Sequence, residues 1–473
     1  VPTTAPAIHA LDWRLSPHEL LARWRRDRRL VALISSDSAS RWSIFATPTK
    51  TIHIHDTVDP LAALDRAVAF PQMDAASPLP FLSGWIVAHS YDLGRAIEPA
   101  AQHRAADHLR TGNHAPLIEL HRCDSALIHD ALDNTWHAIG EPPPLDPARD
   151  VAPADFLAGI PVSLSGRSRY TDAVARCIDL IREGHIFQAN IAHQLAGTFS
   201  GSPRTFMQRL LASAAPGYAA YLESDGRTIC SISPELFLDV DFNTRRVTTR
   251  PIKGTRPATD ADRADLERSE KDRAELAMIV DLMRNDLGRV CEYASVHVDH
   301  PRAIDRIGPP GATRHAPAAW CSASDPCTGA LYHASSTISG KLRPDITLAD
   351  LLRATFPPGS VTGAPKVRAM QIIDELEPHR RGMYCGTLGF ISDHGRASFN
   401  VAIRTATLDH TTGALTFPVG AGIVADSDPE SEWNETMHKA QMFLNSLNPS
   451  PAPRETKGQR ASAGQVRASE IAR

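Results

Sequence analysis

A lysine, a lone glutamate and one charged helix face are the residues of this sequence with the clearest chemical potential. Lys253 stands in ThrThrArgProIleLysGlyThrArgPro (248–257), a turn-forming and apolar segment in which Gly254 allows another group to come close. Burial, or the neighbouring Arg250 and Arg256, would lower its pKa and make it a nucleophile, although a solvated lysine is the commoner outcome. Glu235 lies in SerIleSerProGluLeuPhe (231–237), where an apolar strand-to-loop setting raises a carboxyl pKa and suits it to general-acid work. Towards the end of the chain Glu432, Glu435 and Lys439 recur at i, i+3 and i+7. That spacing groups them on one helix face, away from the apolar stripe of Trp433, Met437, Ala440, Leu444 and Leu447. On spacing alone a solvated, salt-bridged face is favoured. Glu275, beside the apolar run 277–283 and ahead of ArgAsnAsp at 284–286, carries the same ambiguity.

Three other signals are weaker. GlyAlaGlyIleValAla (420–425) has the spacing of a dinucleotide loop, but ValAlaAspSerAspPro (424–429) follows where the body of a helix is required. His53 and His55 alternate with Ile52 and Ile54, so both imidazoles share a strand face; no third ligand is in view, and an exposed face is favoured over a metal site. No G-x-x-x-x-G-K-[ST] occurs, which leaves triphosphate chemistry without support.

The elements that must hold these residues follow from hydrophobic periodicity. Ala173, Val174, Cys177, Ile178 and Ile181 predict a helix from Tyr170 that ends near Gly184. In 187–195 the odd positions are apolar apart from His193, while Gln188, Asn190 and Gln194 face the other way, which predicts a strand. Strands are expected at 218–222, 228–233, 236–240 and 246–251, then one long helix over 263–289. Helices at 348–355 and 366–376, strands at 385–392, 396–408 and 414–424, and a helix over 429–447 complete the pattern. Runs of strands mixed with long helices favour an α+β architecture over a doubly wound parallel sheet.

With 473 residues, 42% hydrophobic and 22% charged, the chain is apolar enough to bury a sizeable core. Fifty basic against 54 acidic residues give a net charge of −4, so no bulk positive field exists for nucleic acid or an anionic membrane. No apolar run reaches the roughly 18 residues of a membrane span, and the opening lacks the pattern of a signal peptide. A soluble cytoplasmic protein is expected. Seven cysteines without CxxC spacing suggest reduced, structural thiols. The proline-rich break at 141–150 separates an N-terminal subregion (1–150), which packs with the rest, from a catalytic region (151–447); a tail (448–473) without apolar periodicity is expected to be disordered.

Taken in order, GlyHisIlePheGlnAlaAsn (184–190), SerProGluLeuPhe (233–237), ArgProIleLysGlyThrArg (250–256), the LysAspArgAlaGluLeu…ArgAsnAspLeuGlyArg stretch (271–289), ProProGlySerValThrGlyAlaProLysValArgAlaMet (357–370), AsnValAlaIleArgThr (400–405), GlyAlaGlyIleValAlaAspSer (420–427) and GluTrpAsnGluThrMetHisLysAla (432–440) closely resemble the chorismate-utilising enzymes. That family includes anthranilate synthase component I, aminodeoxychorismate synthase component I, isochorismate synthase and salicylate synthase. The resemblance runs from about 165 to 447 and is loose before that.

The resemblance implies one large α+β unit with two stacked, antiparallel-rich β-sheets flanked by helices and a cleft between them. It implies chorismate as substrate and one Mg²⁺, with Glu275 and Glu435 as ligands and Glu432 beside them. Arg404 and Lys439 would neutralise substrate carboxylate, supplemented by the backbone N–H groups of Gly420–Gly422; Thr255, Thr362, Tyr384, His333 and Gln188 would line the pocket. Lysine after ProIle resembles the aminodeoxychorismate-forming branch, whereas anthranilate synthases usually carry alanine there. Lys253 would be the covalent nucleophile and Glu235 the acid. Glutamine in place of the lysine base of the water-activating relatives, at Gln188, argues for ammonia as the final nucleophile. The sequence shows no glutaminase elbow, so ammonia is expected from a separate glutamine amidotransferase subunit. The 305–330 stretch, rich in Pro, Gly, Ala and Cys, departs from the family pattern and reads neither as helix nor as strand. IleSerSerAspSer (34–38) stands in place of an acidic-serine tryptophan feedback motif.

Overall fold

Alternating apolar and polar residues, punctuated by glycine and proline, lay down strands through most of this chain, and the strands gather into two antiparallel sheets. The computed structural model describes residues 5–447 apart from 37–39, 56, 70–72, 74–76, 102–114, 143–144, 146–154, 215 and 308–329. The expected tail, most of the 141–150 break, and Cys321 and Cys327 lie outside the described residues. The other five cysteines are free and buried.

A 13-stranded sheet runs from Ile8–Leu11 through Thr135–Ile139, Ala126–Asp130, Trp42–Ala46 and Val31–Ile34 into Tyr218–Ser224, Arg227–Ser233, Thr405–Asp409, Ala414–Ile423 and Gln188–Gly201. A 10-stranded sheet runs from Ile252–Pro257 through Leu331–Lys341, Arg246–Arg250, Leu236–Asp241, Arg396–Asn400 and Thr387–Ser392 to the N-terminal strands Gly84–His89, Ile118–Cys123 and Lys50–Ile54. The N-terminal strands therefore build both sheets, and with the flanking helices they form the single large α+β unit expected. Glu119 links the sheets: buried in the smaller one, it accepts from Arg227 of the larger and lies 2.8 Å from His121 Nε2 and 3.9 Å from His53 Nε2. His53 and His55 are both exposed, as expected, with His53 at the margin of this inter-sheet ion cluster.

Among the described residues no helix is long and apolar enough to cross a membrane. The helix Gly166–Arg182 buries Tyr170, Val174 and Cys177 against Ala189, Ile191 and Ala421. Helices Leu348–Thr355, Lys366–Leu376 and Pro429–Leu447 match their apolar periodicity. The expected 263–289 helix is two, Asp260–Arg268 and Glu270–Gly288, because Ser269 ends the first and caps the second by accepting from Asp272 N–H at 3.2 Å. The expected 396–408 strand is also two, Arg396–Asn400 and Thr405–Asp409, and they lie in different sheets. Between them Arg404 takes a left-handed backbone, φ 52°, which turns the chain out of one ladder and into the other. Of the 305–330 stretch, residues 305–307 end the strand His297–Ile307, 308–329 lie outside the described residues, and Ala330 is buried.

A buried ion pair ties the larger sheet to the turn after Lys366–Leu376. Arg381 donates to Glu377 (2.9 and 2.6 Å), to the Val361 carbonyl (2.9 Å) and to the Asn190 carbonyl (2.5 Å), while Glu377 accepts from Ala192 N–H at 2.8 Å. Removing one partner strands a buried charge. Glu377→Ala should therefore cost about 3–5 kcal/mol, measured as a lower urea midpoint, and Glu377→Met with Arg381→Met should recover part of that loss. A Glu377→Ala midpoint equal to the parent's would show that the pair carries no such weight.

Candidate functional site

Two chain crossings between the sheets carry the first candidate residues. Pro234 lacks an N–H and ends the ladder of Arg227–Ser233, so the chain bends at Glu235 and enters the smaller sheet at Leu236. The return crossing runs from Asn400 to Thr405. The two are bonded together: Glu235 C=O accepts from Val401 N–H (3.0 Å), Arg404 C=O accepts from Ile232 N–H (3.0 Å), and Ser233 Oγ donates to Val401 C=O (2.6 Å).

The Glu235 side chain is 3% exposed. Burial raises its pKa to about 7, opposed in part by the Ser360 hydroxyl, by Lys253 and by Ile252 N–H. Its Oε1 has no hydrogen-bond partner among the described residues. The Arg404 guanidinium has no carboxylate partner among them either, and burial lowers its pKa. His333, on the strand Leu331–Lys341, is 1% exposed, with neither ring nitrogen partnered among the described residues; burial, then Arg404 and Arg250, push it down to about 3, so the ring is neutral.

Lys253 lies on the edge strand Ile252–Pro257 rather than in a turn. The guanidinium neighbours expected to act on it are engaged elsewhere: Arg250 with Asp305 at 2.7 Å, and Arg256 with Asp265 and Asp272 at 2.8 and 3.1 Å. Its Nζ stands 3.3 Å from Glu275 Oε2. It also reaches across to the larger sheet, since a Cβ placed on Gly422 would lie 3.0 Å from Lys253 Nζ and 2.8 Å from Gln188 Nε2. Gln188 is buried, with Oε1 unpartnered among the described residues.

Gly420 and Gly422 belong to the strand Ala414–Ile423, not to a loop. They sit opposite Ala192 and Asn190, whose N–H groups bond away from them, to Glu377 and to Thr362 C=O. Both glycines therefore form non-hydrogen-bonded pairs, and their own N–H and C=O groups point off the far edge of the strand. On that side Thr405–Asp409 pairs only as far as Thr416, and Gly420 C=O accepts from Lys439 Nζ at 3.0 Å. Tyr384 is buried with its hydroxyl 2.9 Å from where a Gly420 Cβ would lie. Thr362 is buried, but its hydroxyl faces its own turn, 3.1 Å from Pro358 C=O. Thr255 lies opposite His333 in the strand pairing yet is exposed, outside the buried cluster.

At the rim, the helix Glu270–Gly288 presents Glu275 and the helix Pro429–Leu447 presents Glu432 and Glu435. Glu432 is 5% exposed and accepts from Ser427 Oγ at 2.6 Å; burial, with the Glu435 charge adding to it, raises its pKa. Burial acts on Glu435 as well, but Lys439, 2.7 Å away, together with Lys253 and Lys271, brings it below the usual range. Among the described residues no three His, Cys, Asp or Glu side chains are gathered closely enough to form a finished metal site. The donor set nonetheless suits Mg²⁺: it offers oxygen ligands only, and Glu432, disfavoured by burial and by a like charge, would gain from a cation.

Ser360 and Lys271 were not singled out from the sequence. Ser360 lies inside the quoted ProProGlySerValThr motif, and its hydroxyl faces Glu235. Lys271, one helical turn before Glu275 and 4.0 Å from it, was readable from its i, i+4 spacing.

The profile of the chorismate binding enzymes matches residues 30–309 and 328–445, leaving out most of the divergent stretch before His333. Aminodeoxychorismate synthase component 1 of Salmonella typhimurium is 34% identical over 464 residues, covering 94% of each chain. Anthranilate synthase component 1 of Saccharolobus solfataricus is 32% identical, covering 93% of this chain and 99% of the relative. The crystal structure of anthranilate synthase component I from Streptococcus pneumoniae superposes with a TM-score of 0.70 at 28% identity, covering 93% of this chain and all of that one.

The raised Glu235 pKa has a consequence for stability. A carboxyl that ionises near 4.5 when exposed but at about 7 when folded keeps an extra proton on the folded state between those values, so stability falls as pH rises through that window. Glu235→Gln, permanently neutral, should gain on the parent by roughly 3 kcal/mol between pH 4 and pH 8 in chemical denaturation. A pH-independent difference would place the Glu235 ionisation elsewhere.

Proposed function

The chain belongs to the family of chorismate binding enzymes, and on that premise we propose that it aminates chorismate at C4 to 4-amino-4-deoxychorismate, a step towards para-aminobenzoate and folate in the cytoplasm. The observation that carries this reading is the Lys253 Nζ held between Glu275 and Gly422, with Glu235, which titrates at about 7, near it. An anthranilate-forming enzyme needs no such amine.

In this mechanism the unprotonated Lys253 Nζ adds to ring carbon C2. Both conjugated ring double bonds shift by one position, to C1=C6 and C4=C5, the C4–O bond breaks, and Glu235 gives its proton to the departing hydroxyl, which leaves as water. Ammonia then bonds to C4, both double bonds shift back, the C2–N bond to Lys253 breaks, and Glu235 recovers a proton from the new ammonium group. A group that titrates near 7 suits both directions of transfer. Dividing one displacement into two spares the site a direct attack at C4.

Arg404 and Lys439 hold substrate carboxylates, Arg404 with a partly buried guanidinium that has no carboxylate partner among the described residues. The open N–H groups at Gly420 and Gly422, with Tyr384 and Gln188, complete the contacts; Thr255 and the Thr362 hydroxyl stand outside them. Neutral His333 offers one donor and one acceptor to uncharged oxygens of the substrate. Glu275 and Glu435, with Glu432 beside them, would hold Mg²⁺, which would supply positive charge to neutralise the ring carboxylate. Ammonia comes from a separate glutamine amidotransferase subunit, as the words "component 1" in the relatives' names suggest.

Incubation with chorismate, Mg²⁺ and ammonium should give a product that keeps the enolpyruvyl group and carries nitrogen in place of the C4 hydroxyl, identified by mass. Glutamine should not replace ammonium for the chain alone. Anthranilate with released pyruvate would overturn the assignment in favour of the second family reaction, and unchanged chorismate would favour a non-catalytic relative. Lys253→Ala should lose at least about 100-fold in kcat while still binding chorismate in a direct titration; a variant of normal kcat would eliminate the covalent route.

A further inference from the structure

One imidazole interrupts the otherwise apolar face of the strand Gln188–Gly201. His193 is 4% exposed, and both of its ring nitrogens are bonded. Nε2 lies 2.9 Å from Thr436 Oγ1, and Nδ1 lies 3.0 Å from Ser163 Oγ. The Thr436 hydroxyl donates its proton to Trp433 C=O at 2.7 Å, so it accepts from His193, and the ring carries its proton on Nε2. Nδ1 then accepts from Ser163, whose oxygen also takes the Gly166 N–H (3.1 Å) at the start of the helix Gly166–Arg182. The ring further stacks on Trp433, with centroids 4.7 Å apart and planes at 22°, and meets Tyr170 edge-on at 4.9 Å. Burial lowers the pKa to about 4, which keeps the ring in the neutral form this relay requires.

The two helix residues that His193 grips, Trp433 and Thr436, each directly follow one of the rim carboxylates, Glu432 and Glu435. The far end of the same helix has its own anchor, Phe443 stacked on Phe417 at 3.8 Å. One end of the helix is thus held by apolar packing and the other by a directional relay that fixes rotation about the helix axis as well as distance. We propose that His193 is a positioning residue that sets the rotation and height of the first turns of the helix Pro429–Leu447, and through them the placement of Glu432 and Glu435 for a divalent cation. The proposal rests on the cation reading given above for these carboxylates.

The test measures Mn²⁺ uptake by paramagnetic resonance, with chorismate present and ammonium absent, so that no turnover is needed. His193→Phe retains an aromatic ring against Trp433 but loses both hydrogen bonds; His193→Gln retains a donor near Thr436. Phe443→Leu is the control that loosens the other end of the helix. We expect His193→Phe to fold and to bind Mn²⁺ about tenfold more weakly, His193→Gln to recover part of that loss, and Phe443→Leu to stay within about twofold of the parent even where its unfolding midpoint drops further. The parent is titrated first. If it takes up no Mn²⁺, the cation reading falls and the proposal falls with it. Mn²⁺ affinity left unchanged by His193→Phe, or weakened equally by Phe443→Leu, overturns the proposal alone.

Discussion

The two crossings between the sheets, bonded to each other, are the constraint on which the site depends. Main chain that leaves a sheet gives up its ladder partners, and an unsatisfied buried backbone group costs about 1–3 kcal/mol. Here each crossing satisfies the other, through Val401 N–H to Glu235 C=O and Ile232 N–H to Arg404 C=O. Ser233 closes the arrangement with one hydroxyl that donates to Val401 C=O and accepts from Glu235 N–H. The crossings must therefore pass side by side, and from their bends the Glu235 carboxyl meets Lys253 and Ser360 while the Arg404 charge acts on His333. The left-handed backbone at Arg404 is sustained by the same bonds, since a non-glycine residue holds that conformation only where its surroundings determine it.

Burial has opposite effects on groups of opposite charge. It raises Glu235 and lowers both His333 and Arg404, so each is moved towards its neutral form. Towards the rim, the carboxylates and lysines of two helices compensate one another instead: Glu435 with Lys439, and Glu275 with Lys253 and, at longer range, Lys271. A small dianion entering between these zones would meet an unpaired cation inside and a redistributable set of ion pairs outside. A chain with a net charge of only −4 can thus gather strongly charged side chains locally. The charge is local, and whole-chain composition averages it away.

Long periodic helices were legible because their apolar spacing is enforced over many turns, as in Lys366–Leu376 and Pro429–Leu447. The breaks were not. Ser269 divides a continuous helical pattern through a capping bond that involves only one residue. Arg404 divides a continuous strand pattern through a single backbone angle, and hydrophobic alternation says nothing about which sheet a strand joins. In the site, the chemistry of Lys253, Glu235 and the rim glutamates was visible as residue types, but their convergence was not, because it depends on contacts between segments distant in sequence. Even the salt-bridged reading of the Glu432, Glu435 and Lys439 face was partly right: Lys439 does pair with Glu435, and its Nζ also reaches Gly420 C=O. Spacing could not distinguish the two readings because the same side chains satisfy both.

The N-terminal third illustrates a different kind of dependence. It supplies no candidate for the chemistry, yet Gly84–His89 pairs along Thr387–Ser392, and Tyr91 N–H donates to Gly382 C=O at 2.8 Å. The Tyr91 ring also lies 4.6 Å from the Arg381 guanidinium, beneath the turn that leads to Tyr384 and to Cys385, another non-glycine residue with a left-handed backbone. Gly386 is forced to be glycine by the same segment, since a Cβ there would lie 2.1 Å from His89 C=O. On the other side Glu119 holds Arg227, in the strand that leads into the Glu235 crossing. The change of texture near 141–150 therefore marks where recognisable chemistry begins, whereas the geometry that makes this chemistry work is set from both sides of it.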